Sequence, residues 1–255
     1  MKYLIEFFDS IGDFFLLLYG TIRWSFKKPF DKKNLASQII KIGINSMPIV
    51  LVTALFTGMV MSLQIAFSIE YKIKGASSLI GGVIGVAMMR ELGPVFSAVF
   101  LSGRVGSGIA AELGAMKVTD QVDALYTLDT SPIHYLVVPR FLAAIIVLPM
   151  LTLFADFIGI FGSMLVTTLS LKVPFLTFWY ALRNGVSIND LLNGLIKSVF
   201  FAMIIVIVGA LSGLKTKNGA EGVGQATTQS VVISSISILI VDYFLTIFLS
   251  ELLHL

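Results

Sequence analysis

The chain has no cysteine. That excludes a disulfide framework, a thiolate nucleophile and a cysteine-held metal. It has only two histidines, His134 and His254, so an imidazole-rich metal centre is excluded as well. Charge is scarce: 13% of the 255 residues are charged, 56% are hydrophobic, and the formal net charge is +3. A soluble domain of this size needs far more Lys and Glu, and so small a net charge does not suit nucleic-acid binding. A phosphate-cradling GxxxxGK[ST] loop is missing too. GALSGLKT (209–216) comes nearest, but its glycine spacing is wrong and Leu214 stands before Lys215. Ser107 lies among glycines with His134 downstream, yet the surroundings do not make GxSxG. An ATPase is therefore excluded from this chain, and an intramembrane serine hydrolase is a remote alternative.

What remains is apolar span. With a mean hydropathy of +0.94, the expected fold is an all-α polytopic membrane protein with little mass outside the bilayer. Residues 1–30 read as an interfacial amphipathic helix. Glu6, Asp9 and Asp13 share one face, and Phe7, Phe8, Ile11, Phe14, Phe15 and Leu18 fill the other. The acids argue against a signal peptide; a first transmembrane span carrying a few acids is the alternative. Five spans follow, at 42–67, 79–110, 141–170, 191–214 and 226–250, each long enough to cross the roughly 30 Å hydrocarbon core. Pro48 is expected to kink the first span. SIND (187–190) is expected to cap the fourth, and Phe178, Trp179 and Tyr180 form an interface belt in the loop 172–190.

Basic residues set the orientation. With the N-terminus inside, the inner segments hold Arg23, Lys27, Lys28, Lys32, Lys33, Arg104, Lys117, Arg140, Lys215 and Lys217. The outer segments hold only Lys72, Lys74, Lys172 and Arg183. The positive-inside rule then places the N-terminus in the cytoplasm.

Ionisable groups inside a bilayer are costly and mark functional candidates. Arg90, Glu91, Lys197 and Asp242 all lie within spans. Counted at about 1.5 Å per residue, they share one depth in the outer half. They form either a polar base to an outward cavity that meets a charged headgroup, or salt bridges that only hold helices together. Asp156, with no basic neighbour on its own helix, is expected to make a neutral helix-packing hydrogen bond. Between the second and third spans, residues 112–128 read as one amphipathic helix with Val118, Val122 and Leu125 on a face. Pattern alone leaves a partner-bound helix and an ordinary surface helix equally open.

Three stretches carry a resemblance to a known family: ELGPVFSAVFLSGRVGSGIAAELGAMKVTDQVDAL (91–125), LIKSVFFA (195–202) and GVGQATTQSVVISSISILIVDYFLT (222–246). They resemble the MlaE-type (YrbE) permeases, the membrane subunits of ABC transporters that work with MCE proteins. The resemblance covers nearly the whole chain and implies a single permease domain, 1–255. It implies a homodimer in the bacterial inner membrane that moves phospholipid between the inner and outer membranes and maintains outer-membrane lipid asymmetry. The partners it implies are an ABC ATPase (MlaF-like) that binds the ATP, an MCE-domain protein (MlaD-like) and a small STAS-domain regulator (MlaB-like). It also implies that Arg90, Glu91, Lys197 and Asp242 contact lipid in a cavity lined by Met61 and Gln64. The segment 112–128 becomes the coupling helix, with Glu112, Leu113, Gly114, Met116, Val118, Thr119, Gln121 and Asp123 meeting the ATPase. No cofactor is expected in this chain. An ion-coupled carrier using the same buried charges is the rival transporter reading.

Overall fold

The computed structural model describes residues 2–27, 32–70 and 79–253, with side chains described over 8–27, 32–68 and 79–253. The side chains of Glu6 and Phe7, together with Lys28, Lys72, Lys74 and His254, lie outside the described residues. The described residues are all-α, and five helical stretches are long and apolar enough to cross a membrane: Lys32–Ser68, Ile80–Val118, Ile133–Leu169, Ile188–Leu214 and Gly219–Leu252. The multi-pass membrane fold expected from composition is therefore the fold found.

The elements are α1 (Lys2–Ser25), α2 (Lys32–Gly43), α3 (Met47–Glu70), α4 (Ile80–Ala87), α5 (Gly93–Leu101), α6 (Ser107–Val118), α7 (Gln121–Thr127), α8 (Val138–Leu169), α9 (Phe175–Gly185), α10 (Ile188–Leu214) and α11 (Gly219–Leu252). Three π-helical turns, Met88–Leu92, Ser102–Gly106 and Ile133–Val137, link α4 to α5, link α5 to α6, and lead into α8. Two of them have a local cause. Pro94 has no amide for the carbonyl of Arg90, four residues back, and its ring would press on that carbonyl. Widening the helix relieves the clash, and the Gly93 amide reaches back five residues to the Met88 carbonyl. Pro139 stands in the same relation to Tyr135, and the Val138 amide bonds the Ile133 carbonyl.

The chain divides into two compact units. One comprises Met1–Asn45, Ala98–Val147 and Phe200–Ile240; the other comprises Ser46–Ser97, Leu148–Val199 and Val241–Leu255. In the first, α1 rests on the π turn Ile133–Val137. Trp24 packs against His134 with ring centroids 5.2 Å apart and the planes tilted by 40°, and Lys27 Nζ sits 4.2 Å above the Trp24 ring. Asp13 pairs with Lys215, and Leu17 and Thr21 are buried while Phe8, Phe15, Leu16 and Tyr19 stay exposed. In the second unit, α3 and α8 meet backbone to backbone. A Cβ on Gly58 would collide with the Gly159 carbonyl, and Ser62 Oγ lies 2.7 Å from Thr167 Oγ1 beside this contact. Small residues that admit so close an approach are the usual means of helix association in lipid.

Three expectations need correcting. Pro48 does not kink a continuous first span, because α2 ends at Gly43 and α3 begins at Met47 with Pro48 in its first turn. The segment 172–190 is not all loop. It contains α9, which buries Phe178 against the glycine face of α4 and leaves Trp179 and Tyr180 exposed. Residues 112–128 are two helices rather than one. Residues 112–118 complete α6, the chain turns at Asp120 in the left-handed region (φ 59°), and α7 follows. Thr119 Oγ1 donates to the Ala115 carbonyl at 2.8 Å and helps end α6, and aspartate is one of the few side chains that tolerate the left-handed turn.

The α3–α8 contact generates a prediction. Gly58→Val should lower the melting temperature of the detergent-solubilised protein sharply, because the obstacle is a backbone carbonyl that cannot rotate away. Gly103→Ala, which faces open space, should leave the melting temperature within about 0.5 kcal/mol of the parent when read as stability.

Candidate functional site

The second unit holds the densest set of ionisable groups. Lys197 lies on α10 with its side chain fully buried at 0% exposure, while the Glu91 and Asp242 side chains remain 38% and 18% exposed. The Lys197 ammonium donates to Glu91 Oε2 at 2.6 Å and to Thr246 Oγ1 at 2.7 Å. Its third neighbour is Asp242 Oδ1 at 2.9 Å, an ion pair by distance that lacks hydrogen-bond alignment. Thr246 Oγ1 lies 2.8 Å from the Asp242 carbonyl and 3.2 Å from Glu91 Oε1. Its single hydroxyl proton serves one of these at a time, so Thr246 both accepts from the lysine and ties α11 to the π turn. One ammonium against two carboxylates leaves a formal charge of −1 on the triad.

Local sequence explains each position. Glu91 is presented by the π turn that Pro94 imposes. Lys197 can approach because Gly194, one turn earlier on α10, lies against the Met89 carbonyl where a Cβ would collide. Asp242 and Thr246 are one turn apart on α11 and so share a face.

Arg90 leaves this set. Its Nε donates to Asp190. Asp190 Oδ2 also accepts from the Ser187 amide at 2.6 Å and from the Ser187 hydroxyl at 3.0 Å. The expected cap at SIND is therefore a reciprocal capping box on α10, and Arg90 grips its carboxylate. Met61 is half-buried and Gln64 exposed on α3, and neither is among the partners of Lys197. Asp156 is buried against Gly93, and its Oδ1 has no hydrogen-bond partner among the described residues. The expected helix-packing hydrogen bond of Asp156 is not made by Oδ1.

In the first unit, Glu112 is a structural tie. One carboxylate oxygen pairs with Lys41, and the other accepts from Arg140 Nη2 at 2.9 Å. Leu113 and Gly114 are buried, with a Cβ on Gly114 falling 2.9 Å from Thr216 Oγ1. Met116 and Val118 are half-buried, while Thr119, Gln121 and Asp123 are exposed, Asp123 pairing with Lys117 at 2.8 Å. The surface offered by this segment thus runs through Thr119, Gln121 and Asp123, and Leu113 and Gly114 are packing residues. Ser107 donates to the Gly103 carbonyl and His134 packs against Trp24, so no Ser–His pair forms.

A buried ammonium held by two acids from different helices, all within membrane-length segments, suits a transporter. The comparison with known families decides which kind. Residues 35–248 match the family described as Permease MlaE. The chain belongs to the MlaE permease family. A probable ABC transporter permease protein of Rickettsia typhi is 41% identical over 245 residues, covering 96% of this chain and 94% of that protein. Another of Synechocystis sp. is 41% identical over 244 residues, covering 95% and 89%. The intermembrane phospholipid transport system permease protein MlaE of Haemophilus influenzae is 36% identical over 249 residues, covering 96% and 94%. As a member of the family, the chain is the membrane-embedded permease subunit of an ABC transporter, and ATP hydrolysis belongs to a separate ATPase subunit.

Two residues of the site were not singled out in the sequence. Thr246 could have been found, because it sits one turn beyond Asp242 on the same face. Asp190 was read only as a cap, and nothing local marks it as the partner of a side chain a hundred positions away.

Removing the cation alone should be severe. Lys197→Met leaves Glu91 and Asp242 facing each other without a counter-charge, a loss on the order of 3–5 kcal/mol, read as a lower melting temperature in detergent. The neutral triple variant Glu91→Gln, Lys197→Met, Asp242→Asn should recover most of it.

Proposed function

We propose that this MlaE-family permease carries phospholipid between the inner and outer membranes of a double-membraned envelope, and so maintains outer-membrane lipid asymmetry. The observation that carries this reading is the Glu91–Lys197–Asp242 triad, whose Glu91 carboxylate stays partly exposed within an otherwise apolar segment. A partly open charge at that position suits a ligand with a polar head and apolar tails, and the name of the Haemophilus relative points to the same class. Arg90 and Asp242 extend the polar surface, and Met61 and Gln64 supply its apolar and amide wall.

The protein works as a homodimer in the inner membrane with its N-terminus in the cytoplasm, together with an MlaF-like ATPase, an MlaD-like MCE protein and an MlaB-like STAS-domain regulator. Two features support a second copy. Arg104 is exposed toward the inner end of a membrane-length helix with no ion-pair partner among the described residues, a position that a second copy would cover. On α11, Gln225, Thr228 and Gln229 are likewise uncovered, and most of that helix's apolar stretch lies unburied. The exposed Thr119, Gln121 and Asp123 suit docking to the ATPase.

The test is lipid transfer by the reconstituted permease–ATPase–MCE complex. Glu91→Lys and Asp242→Lys should cut ATP-dependent transfer about tenfold or more while the complex still co-purifies. Full transfer in both would remove the triad from the lipid path. Gln121→Arg together with Asp123→Arg should reduce ATPase co-purification, and transport that persists without any ATPase would favour an ion-coupled carrier.

A further inference from the structure

Three ionisable side chains are buried among the described residues of the second unit: Asp190, Lys197 and Asp156. The first two have partners on other elements. Asp156 Oδ1 has no hydrogen-bond partner among the described residues. The neighbouring cations are taken, Arg90 by Asp190 and Lys197 by Glu91 and Asp242, and α4 and α5 carry none of their own. An unpaired buried carboxyl is costly, so its place on α8 needs a reason beyond filling space.

Its surroundings supply one. Oδ1 occupies the space left by the missing Cβ of Gly93. An oxygen laid on a glycine Cα in this way makes the Cα–H···O contact that recurs between packed helices; a methyl group does not. Three residues further along the same face of α8, Gly159 receives the end of the Met88 side chain, and a Cβ there would collide with Met88 Cε. Met88 and Gly93 are the two residues whose backbone hydrogen bond closes the π turn. One face of α8 therefore grips both ends of that turn. Helix α10 meets the next residue along at each end: Gly194 lies against the Met89 carbonyl, and a Cβ on it would fall 2.9 Å from the Pro94 ring. Pro94 makes the turn wide, and these contacts fix where it is held. Glu91 lies between the gripped ends, with its carboxylate 2.6 Å from Lys197 Nζ and 3.2 Å from Thr246 Oγ1.

We infer that Asp156 is a positioning residue for Glu91: lodged against Gly93, with Gly159 beneath Met88, it holds the π turn where the Glu91 carboxylate meets Lys197. Its bearing on transport rests on the reading of the triad proposed above. The geometry does not, and the two can fail separately.

The absence of cysteine from the chain gives a direct readout. Glu91→Cys and Thr246→Cys are introduced together into the full-length protein in detergent and bridged with a short bis-methanethiosulfonate linker, while Lys197 keeps Asp242 as its counter-charge. Asp156→Asn, which preserves shape and oxygen, should bridge as the parent pair does. Asp156→Leu overfills the notch and Asp156→Ala empties it, and each should lower the bridging yield about tenfold or more, as small misplacements of a positioned group do. Yields are read below each variant's melting temperature, and either variant suffices if the other does not fold. Phe157→Ala, on the exposed side of α8, should leave the yield unchanged. Parent-like bridging in the Leu and Ala variants overturns the inference. So does a loss in Asp156→Asn, which would assign the effect to the carboxyl's charge. An equal loss in Phe157→Ala also overturns it, and would indicate general loosening of α8. With Glu91 and Thr246 intact, Asp156→Leu should cut ATP-dependent lipid transfer about tenfold or more. Lost bridging with full transfer would uphold the positioning and remove the triad from the lipid path instead.

Discussion

A fully buried ammonium is the constraint around which the second unit is arranged. Lys197 cannot keep its charge in an apolar interior without partners, and the chain supplies three from two other elements. Each supporting feature follows from that need. Pro94 forces the π turn that aims Glu91, Gly194 lets α10 lie against that turn, and the one-turn spacing of Asp242 and Thr246 brings a second acid and a hydroxyl from α11. The same contacts that stabilise the helices leave a carboxylate partly open. The cavity and salt-bridge readings of these charges are therefore compatible, since one set of atoms can serve both.

Much of this was legible in the sequence because the bilayer is a strict solvent. It permits few ionisable groups, so those present stand out against the spans, and three of the four singled out share one contact set. Long-range pairing was less legible. The Arg90–Asp190 contact joins residues far apart in sequence, and the local signal at Asp190 was already explained by Ser187. Helix α9 was missed for a different reason: the run Phe178-Trp179-Tyr180 suggests an interface loop, while the glycine face of α4 that buries Phe178 lies elsewhere in the chain. In 112–128 the hydrophobic periodicity continues across a backbone break, because a single left-handed residue leaves no trace in the spacing of valines and leucines.

The segment expected to meet the ATPase has an inner and an outer part. Glu112, Leu113 and Gly114 are engaged by their own unit, through Lys41 and Arg140 on one side and Thr216 on the other. Thr119, Gln121 and Asp123 remain at the surface. A force applied at the exposed turn would reach α2 and α8 through Glu112, whose two oxygens hold both.

The π turns also affect how relatives are compared. Each inserts one residue into a helix that otherwise advances by about 100° per position. A stripe followed along the sequence through Leu92 or Val137 therefore emerges on a different side of the same helix. Without that extra residue, Glu91 would lie roughly a quarter-turn further around the axis relative to α5, and the Pro94 ring would press on the carbonyl four residues back. The register of that one extra residue sets which face of the span carries charge.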